Sequence, residues 1–107
     1  MLVPFPNSDL KTFKLRPALV VQSNDIDSEL PQVILAMISS NLGRTGRKTR
    51  FLIATETETG KSSGLLFDSV VMADNIATVH RSRITRILGN LSSMADIDNA
   101  LRHTLCL

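Results

Sequence analysis

An arginine stands directly before a proline at Arg16-Pro17, and the proline leads into an unbroken apolar run, Ala18-Leu19-Val20-Val21. That arrangement leaves the backbone few choices. Proline fixes its own φ and has no N–H to donate, so a helix interior is closed to it, and a strand accepts it best at the first position. The residue before a proline is pushed toward extended backbone. The run therefore predicts a strand from Pro17 to Gln22, with Arg16 at its mouth. A guanidinium held there has the fork geometry that grips phosphate or carboxylate. A solvated arginine in a turn fits the same dipeptide.

The chain has 107 residues, 43% hydrophobic and 21% charged, which suits one domain spanning residues 1–107 around a single core. Four Phe, with no Trp and no Tyr, provide poorly for stacking nucleobases on an aromatic platform. Net charge is only +2, yet Arg44, Arg47, Lys48 and Arg50 crowd into one segment and Arg81, Arg83 and Arg86 into another. Basic patches of this kind attract polyanions whatever the total charge. A single cysteine, Cys106, leaves no internal disulfide and no metal cluster to expect. Neither an apolar span of membrane length nor a signal-like start is present, so a cytoplasmic protein without a membrane segment is expected.

Along the chain, Leu2-Val3-Pro4-Phe5-Pro6 reads as an edge strand, and Asn7-Ser8-Asp9 as a turn from which Leu10 to Leu15 returns. Ser23 to Pro31 is a polar loop, and Gln32 to Ser39 a second apolar strand. Asn41 to Lys48, with two glycines and three basic residues, predicts a mobile basic loop. Thr49 to Thr55 predicts a strand and Glu56 to Ser63 a polar loop; Leu65-Leu66-Phe67, Ser69 to Ala73 and Ile76 to Val79 predict short strands separated by turns. Short strands with turn signals between them favour a small barrel or sandwich over a βαβ fold. The end differs. Ser93 with Asp96 fits a capping pattern, and Met94, Ile97, Leu101 and Leu105 form one apolar helical stripe. The expectation is a mainly β fold with one C-terminal α-helix packed on it.

Several ordered segments together resemble the PemK/MazF family of toxin endoribonucleases. They are Leu2-Val3-Pro4-Phe5-Pro6 with Ser8-Asp9, Arg16-Pro17-Ala18-Leu19-Val20-Val21, Ala36-Met37-Ile38-Ser39-Ser40-Asn41, Gly64-Leu65, Ser69-Val70-Val71, Asp74-Asn75-Ile76 with Thr78-Val79, Arg83-Ile84 and Leu88-Gly89-Asn90-Leu91-Ser92. The resemblance implies an SH3-like small β-barrel, usually a homodimer. It also implies sequence-selective cleavage of single-stranded RNA without metal or cofactor, and inhibition by a cognate antitoxin through which any DNA-binding regulation would act. The family's Arg-Pro arginine falls on Arg16, its strand-end threonine on Ser39, and an acid found in some members on Asp74. The sequence departs from some members at Met72 and Ala77, where they carry arginines.

RNA brings its own nucleophile, the 2′-hydroxyl, so cleavage asks for a proton acceptor, a proton donor to the departing 5′-oxygen, and cations around the crowded phosphorane. Arg16 suits the electrostatic task, because a guanidinium stays charged and is a poor proton acceptor. Ser39 can polarise or position the phosphate. For the proton acceptor, Asp74 and His80 are both candidates; an Asp-Asn turn and a surface histidine are their structural alternatives. Arg44, Arg47, Lys48 and Arg50 would grip RNA. The competing readings are a barrel that binds nucleic acid or a partner peptide without chemistry, and a topoisomerase poison acting through the C-terminal helix.

Overall fold

Pro17 does not begin a strand; it lies within one. The computed structural model describes residues 2–6, 13–22, 31–84, 87–91 and 94–107. Strand β2 runs Phe13–Val20, and its Phe13 to Pro17 part pairs antiparallel with β1 (Leu2–Pro6), ending at Leu2 opposite Pro17. From Ala18 to Val20 the same strand pairs with β3 (Gln32–Ser39). Pro17 thus occupies the step where β2 changes partner, the place in a strand that asks least of a backbone N–H.

The remaining elements are β4 (Arg50–Ile53), α1 (Glu58–Ser63), β5 (Ser69–His80) and α2 (Ala95–Leu105), with 3₁₀ turns at Leu42–Arg44 and Arg81–Arg83. The sheet order among the described residues is β1-β2-β3-β5-β4, every pair antiparallel. The mainly β class with a C-terminal helix is as expected, with the sheet open between its edge strands β1 and β4 among the described residues.

β3 and the first five residues of β5 carry little polar alternation because both of their faces are covered, whereas β5 from Asp74 to His80 alternates exposed and half-buried residues. Val33, Leu35 and Met37 of β3 meet Val70 and Met72 of β5 and Ala18 of β2 in one cluster. On the opposite face Ala36, Ile38, Ile53 and Val71 pack with Ile97 of α2, joined by Met94, Leu91 and Leu101. A fully buried Ile such as Ile97 contributes about 1.5–3 kcal/mol, which is what secures α2 to the sheet.

Several expectations need correction. Ser69 to Val79 is one continuous strand, not two pieces around a turn. Asp74-Asn75 instead lies on a bulge: Ala36 pairs with Ile76 while Met37 pairs with Met72, leaving Ala73, Asp74 and Asn75 without opposite residues in β3. Asn75 Nδ2 donates to Met37 Sδ at 3.2 Å across this bulge. Glu58–Ser63 is a short helix because Thr57 caps it, its hydroxyl accepting from the Gly60 N–H at 3.0 Å. Leu65-Leu66-Phe67 belongs to no strand. Helix α2 starts after Met94, which makes no side-chain cap, and its stripe ends early, since Leu105 is exposed. The Asn7-Ser8-Asp9 turn, Ser23 to Leu30 of the acidic loop, and the Ser93 cap lie outside the described residues.

Candidate active site

Arg16 and Ser39 belong to neighbouring strands. The β2–β3 pairing ends with Ala18 opposite Met37, and Arg16 and Ser39 each lie two residues beyond that pair, at the same end of the two strands. Both line a cavity of about 470 Å³, together with Pro17, Ile38 and Ser69 and the segment from Gly64 to Phe67. The Ser39 hydroxyl accepts the Asn41 N–H at 3.1 Å, so one lone pair is engaged and its proton remains available to donate elsewhere. A cation and an oriented hydroxyl lining one hollow with apolar walls can together grip a phosphodiester.

The wall opposite is built on α1. Gly64 ends that helix at φ 76°, a left-handed cap, and a Cβ there would collide with the Leu88 carbonyl. After it the chain is tied down residue by residue. Leu65 N–H donates to Ser63 Oγ at 3.2 Å, and the Ser69 hydroxyl donates to the Phe67 carbonyl at 2.8 Å. Asp68 Oδ1 accepts from both the Thr55 N–H at 2.8 Å and the Thr55 hydroxyl at 2.9 Å. Those two donors hold the Asp68 carboxyl below the usual carboxylate range. On this anchored backbone Leu66 and Phe67 face solvent, at 85% and 70% exposure.

The basic segment links β3 to β4, which flank β5 on either side, so the connection passes β5. Asn41 Oδ1 accepts from the Gly43 N–H and caps the Leu42–Arg44 turn; Thr45 then bonds the Leu42 carbonyl through both its N–H and its hydroxyl. Arg47 and Lys48 are exposed at the far side of the loop. Arg50 is different. It is half-buried in β4, its Nε donates to Asp74 Oδ1 at 2.8 Å and its Nη2 to Asp74 Oδ2 at 2.9 Å, while the Thr49 hydroxyl donates to Oδ2 at 3.1 Å. Partial burial opposes ionisation of Asp74, but the Arg50 hydrogen bonds and charge, with Thr49, outweigh it and hold the carboxyl below its ordinary range.

The four candidates for chemistry are therefore not one cluster. Arg16 and Ser39 share the cavity, and Asp74 and His80 do not line it. Asp74 closes the stem of the basic loop. His80 pairs with Gln32 at the opposite end of β3 from Ser39, about 23 Å away along the strand. There its Nδ1 accepts the Ser82 N–H at 3.1 Å and caps the Arg81–Arg83 turn. Among the four loop cations, Arg50 is committed to Asp74 rather than projecting from the loop. The cavity wall at Leu66 and Phe67 was not anticipated. The sequence signal available for it was a large apolar pair just after Gly64 with no alternation on either side. Cys106 is exposed and caps α2 at φ 58°. Among the described residues no group of three or more His, Cys, Asp or Glu could hold a metal ion, and no helix is long and apolar enough to cross a membrane.

Residues 1–105 match a family of PemK-like, MazF-like toxins of type II toxin–antitoxin systems. Endoribonuclease MazF2 of Mycobacterium bovis is 35% identical over 104 residues, covering 94% of this chain and 86% of the relative. Endoribonuclease MazF6 of Mycobacterium tuberculosis matches with the same identity and coverage. Among solved structures, the Mycobacterium tuberculosis toxin MazF-mt6 superposes with a TM-score of 0.74 at 21% identity, over 99% of this chain and 96% of that one. An endoribonuclease in complex with its cognate antitoxin, from a mycobacterial species, superposes with a TM-score of 0.74 at 23% identity, over 99% and 92%. At these identities the two structures speak for the fold.

Proposed function

Because the chain belongs to the PemK-like, MazF-like toxins of type II toxin–antitoxin systems, we propose that residues 1–107 form a single toxin domain that cleaves single-stranded RNA in the cavity between Arg16 and Ser39. The observation that carries this reading is that a strand-borne arginine and an oriented hydroxyl line one hollow. A phosphodiester seated there has its non-bridging oxygens met by the Arg16 fork and by the Ser39 hydroxyl proton. The neighbouring 2′-oxygen then attacks phosphorus; the bond to the 5′-oxygen breaks, and the 2′-proton and a proton for the leaving oxygen pass through groups near the cavity. The two protein groups favour the step because negative charge on the phosphoryl oxygens is greatest in the transition state.

Arg47 and Lys48, with Arg44 of the same loop, supply the long-range attraction for the RNA backbone. Asp74 suits a loop anchor better than a proton acceptor, because its two oxygens are already engaged by Arg50 and Thr49. His80 lies too far along the sheet to serve the same chain's cavity. The partners of this reading are a single-stranded RNA substrate, a cognate antitoxin that keeps the toxin silent, and a second copy of the chain in a homodimer; its place is the cytoplasm, where those partners are made.

The test is cleavage of single-stranded RNA by purified protein in excess chelator, wild type against Arg16→Ala. Cleavage by the wild type, reduced about 100- to 1,000-fold in the variant, is expected. Equal cleavage by both, or none by the wild type, overturns the reading.

A further inference from the structure

Large apolar side chains left in water need a reason, and Phe67 is 70% exposed beside Leu66 at 85%. Their backbone is not loose. It is bracketed by the Gly64 cap, the Ser63–Leu65 bond, the Ser69–Phe67 bond and the pair of bonds from Thr55 to Asp68. The phenyl ring is thus presented to solvent from a fixed base, at low cost in ordering when something covers it. It also forms part of the cavity that holds Arg16 and Ser39.

We propose that Phe67 is a stacking platform for a nucleobase flanking the phosphate held by Arg16 and Ser39, a subsite that rests on the ribonuclease reading above. Three features favour a base over another occupant. The ring borders a hollow of about 470 Å³, the scale of a small-molecule site rather than of a flat protein interface. The same hollow is lined by a cation and by hydroxyls, so an apolar face and groups that can hold an anion share one site, as a base and a phosphate share one nucleotide. Every base offers a π-face, and stacking on an aromatic ring needs no base-specific hydrogen bond. The poor aromatic content of the chain does not argue against this, since one ring at the right place serves one base. Leu65 and Leu88 add apolar surface to the same hollow.

The experiment measures binding of a 2′-O-methylated single-stranded RNA of mixed sequence, which lacks the attacking hydroxyl, across a series of salt concentrations. Phe67→Ala weakens binding by about five- to 100-fold, whereas Phe67→Trp stays within about three-fold of wild type. The slope of log affinity against log salt is the same in all three, because stacking releases no counterions. Phe67→Leu, which keeps an apolar side chain but no ring, behaves like Phe67→Ala. Three results overturn the subsite and leave the nuclease reading intact: binding unchanged by Phe67→Ala, Phe67→Leu as good as wild type, or a change of oligomeric state in Phe67→Ala, which makes this surface an interface. If the wild type fails to bind RNA, both readings fall together.

Discussion

Arg50 and Asp74, 24 residues apart in sequence, meet in a two-pronged ion pair, Nε to Oδ1 at 2.8 Å and Nη2 to Oδ2 at 2.9 Å. The pair ties the first residue of β4 to the bulge of β5. The backbone adds a bond from the Ala73 N–H to the Thr49 carbonyl at 2.9 Å, and a turn in which the Arg50 N–H donates to the Arg47 carbonyl at 3.0 Å. Everything between Asn41 and Lys48 hangs from this stem and from Ser39 at the other end.

An Asp74→Asn substitution should consequently act on the loop. We expect a rise in KM for RNA with kcat changed by less than about three-fold, and a loss of about 1 kcal/mol of stability. Amide hydrogen exchange in residues 41–48 should quicken in the variant. If kcat instead falls by orders of magnitude while exchange is unaltered, Asp74 is a proton carrier and not an anchor.

The same carboxyl gives a pH signature. Its folded pKa is lowered, so its contribution to stability is complete above the unfolded value, near 4, and is lost as pH falls through the folded one. The Tm difference between wild type and Asp74→Asn should hence be constant from neutrality to about pH 5 and shrink below about pH 4. A difference that grows on acidification contradicts the assignment.

At the cavity, Ser39→Ala should reduce RNA cleavage about ten-fold, the value of one hydrogen bond to a charged group. Ser39→Thr should match or exceed wild type, since the β-branched side chain keeps the hydroxyl and has a stiffer rotamer. Arg16→Lys should lose most of what Arg16→Ala loses, because a point charge cannot make the two parallel bonds. Single-turnover rates on one RNA substrate check all three.

Gly64→Ala tests the wall that carries Phe67. The backbone there is left-handed and a Cβ meets the Leu88 carbonyl, so thermal unfolding should shift down by several degrees. An unshifted Tm is incompatible with the close approach.

Cys106 is the converse case, a non-glycine residue at φ 58° closing α2, where its N–H bonds the Arg102 carbonyl. Cys106→Gly should stabilise the chain by about 1 kcal/mol in denaturant titration.

Gln32 to Ser39 and Ser69 to Ala73 were legible as strands from the sequence, because they are apolar without alternation, as strands buried on two faces must be. The Arg16–Ser39 juxtaposition was legible only through the family pattern, since nothing local in either segment states that two strands are neighbours in register. Asp74-Asn75 misled because the same two residues serve a turn or a bulge, and the choice depends on Met37 and Arg50, which are distant in sequence. Glu58–Ser63 was missed as a helix because it is only six residues long and too polar for a periodic stripe; its one strong signal was the Thr57 cap. The exposed placement of Phe67 on the cavity was hidden because exposure of a large apolar residue is a tertiary fact.

Strand β5 lies between β3 and β4 although it follows both in the chain. During synthesis, then, the two earlier strands emerge with no partner for their inner edges, and the loop between them has no β5 to pass. Ser39 acquires its neighbour Val70, and Arg50 its Asp74, only once residues 69–80 are available. The hollow that Arg16 and Ser39 line also takes Ser69 and Leu88, so both side chains precede part of its wall in the chain and wait for β5 to be made before their surroundings are complete.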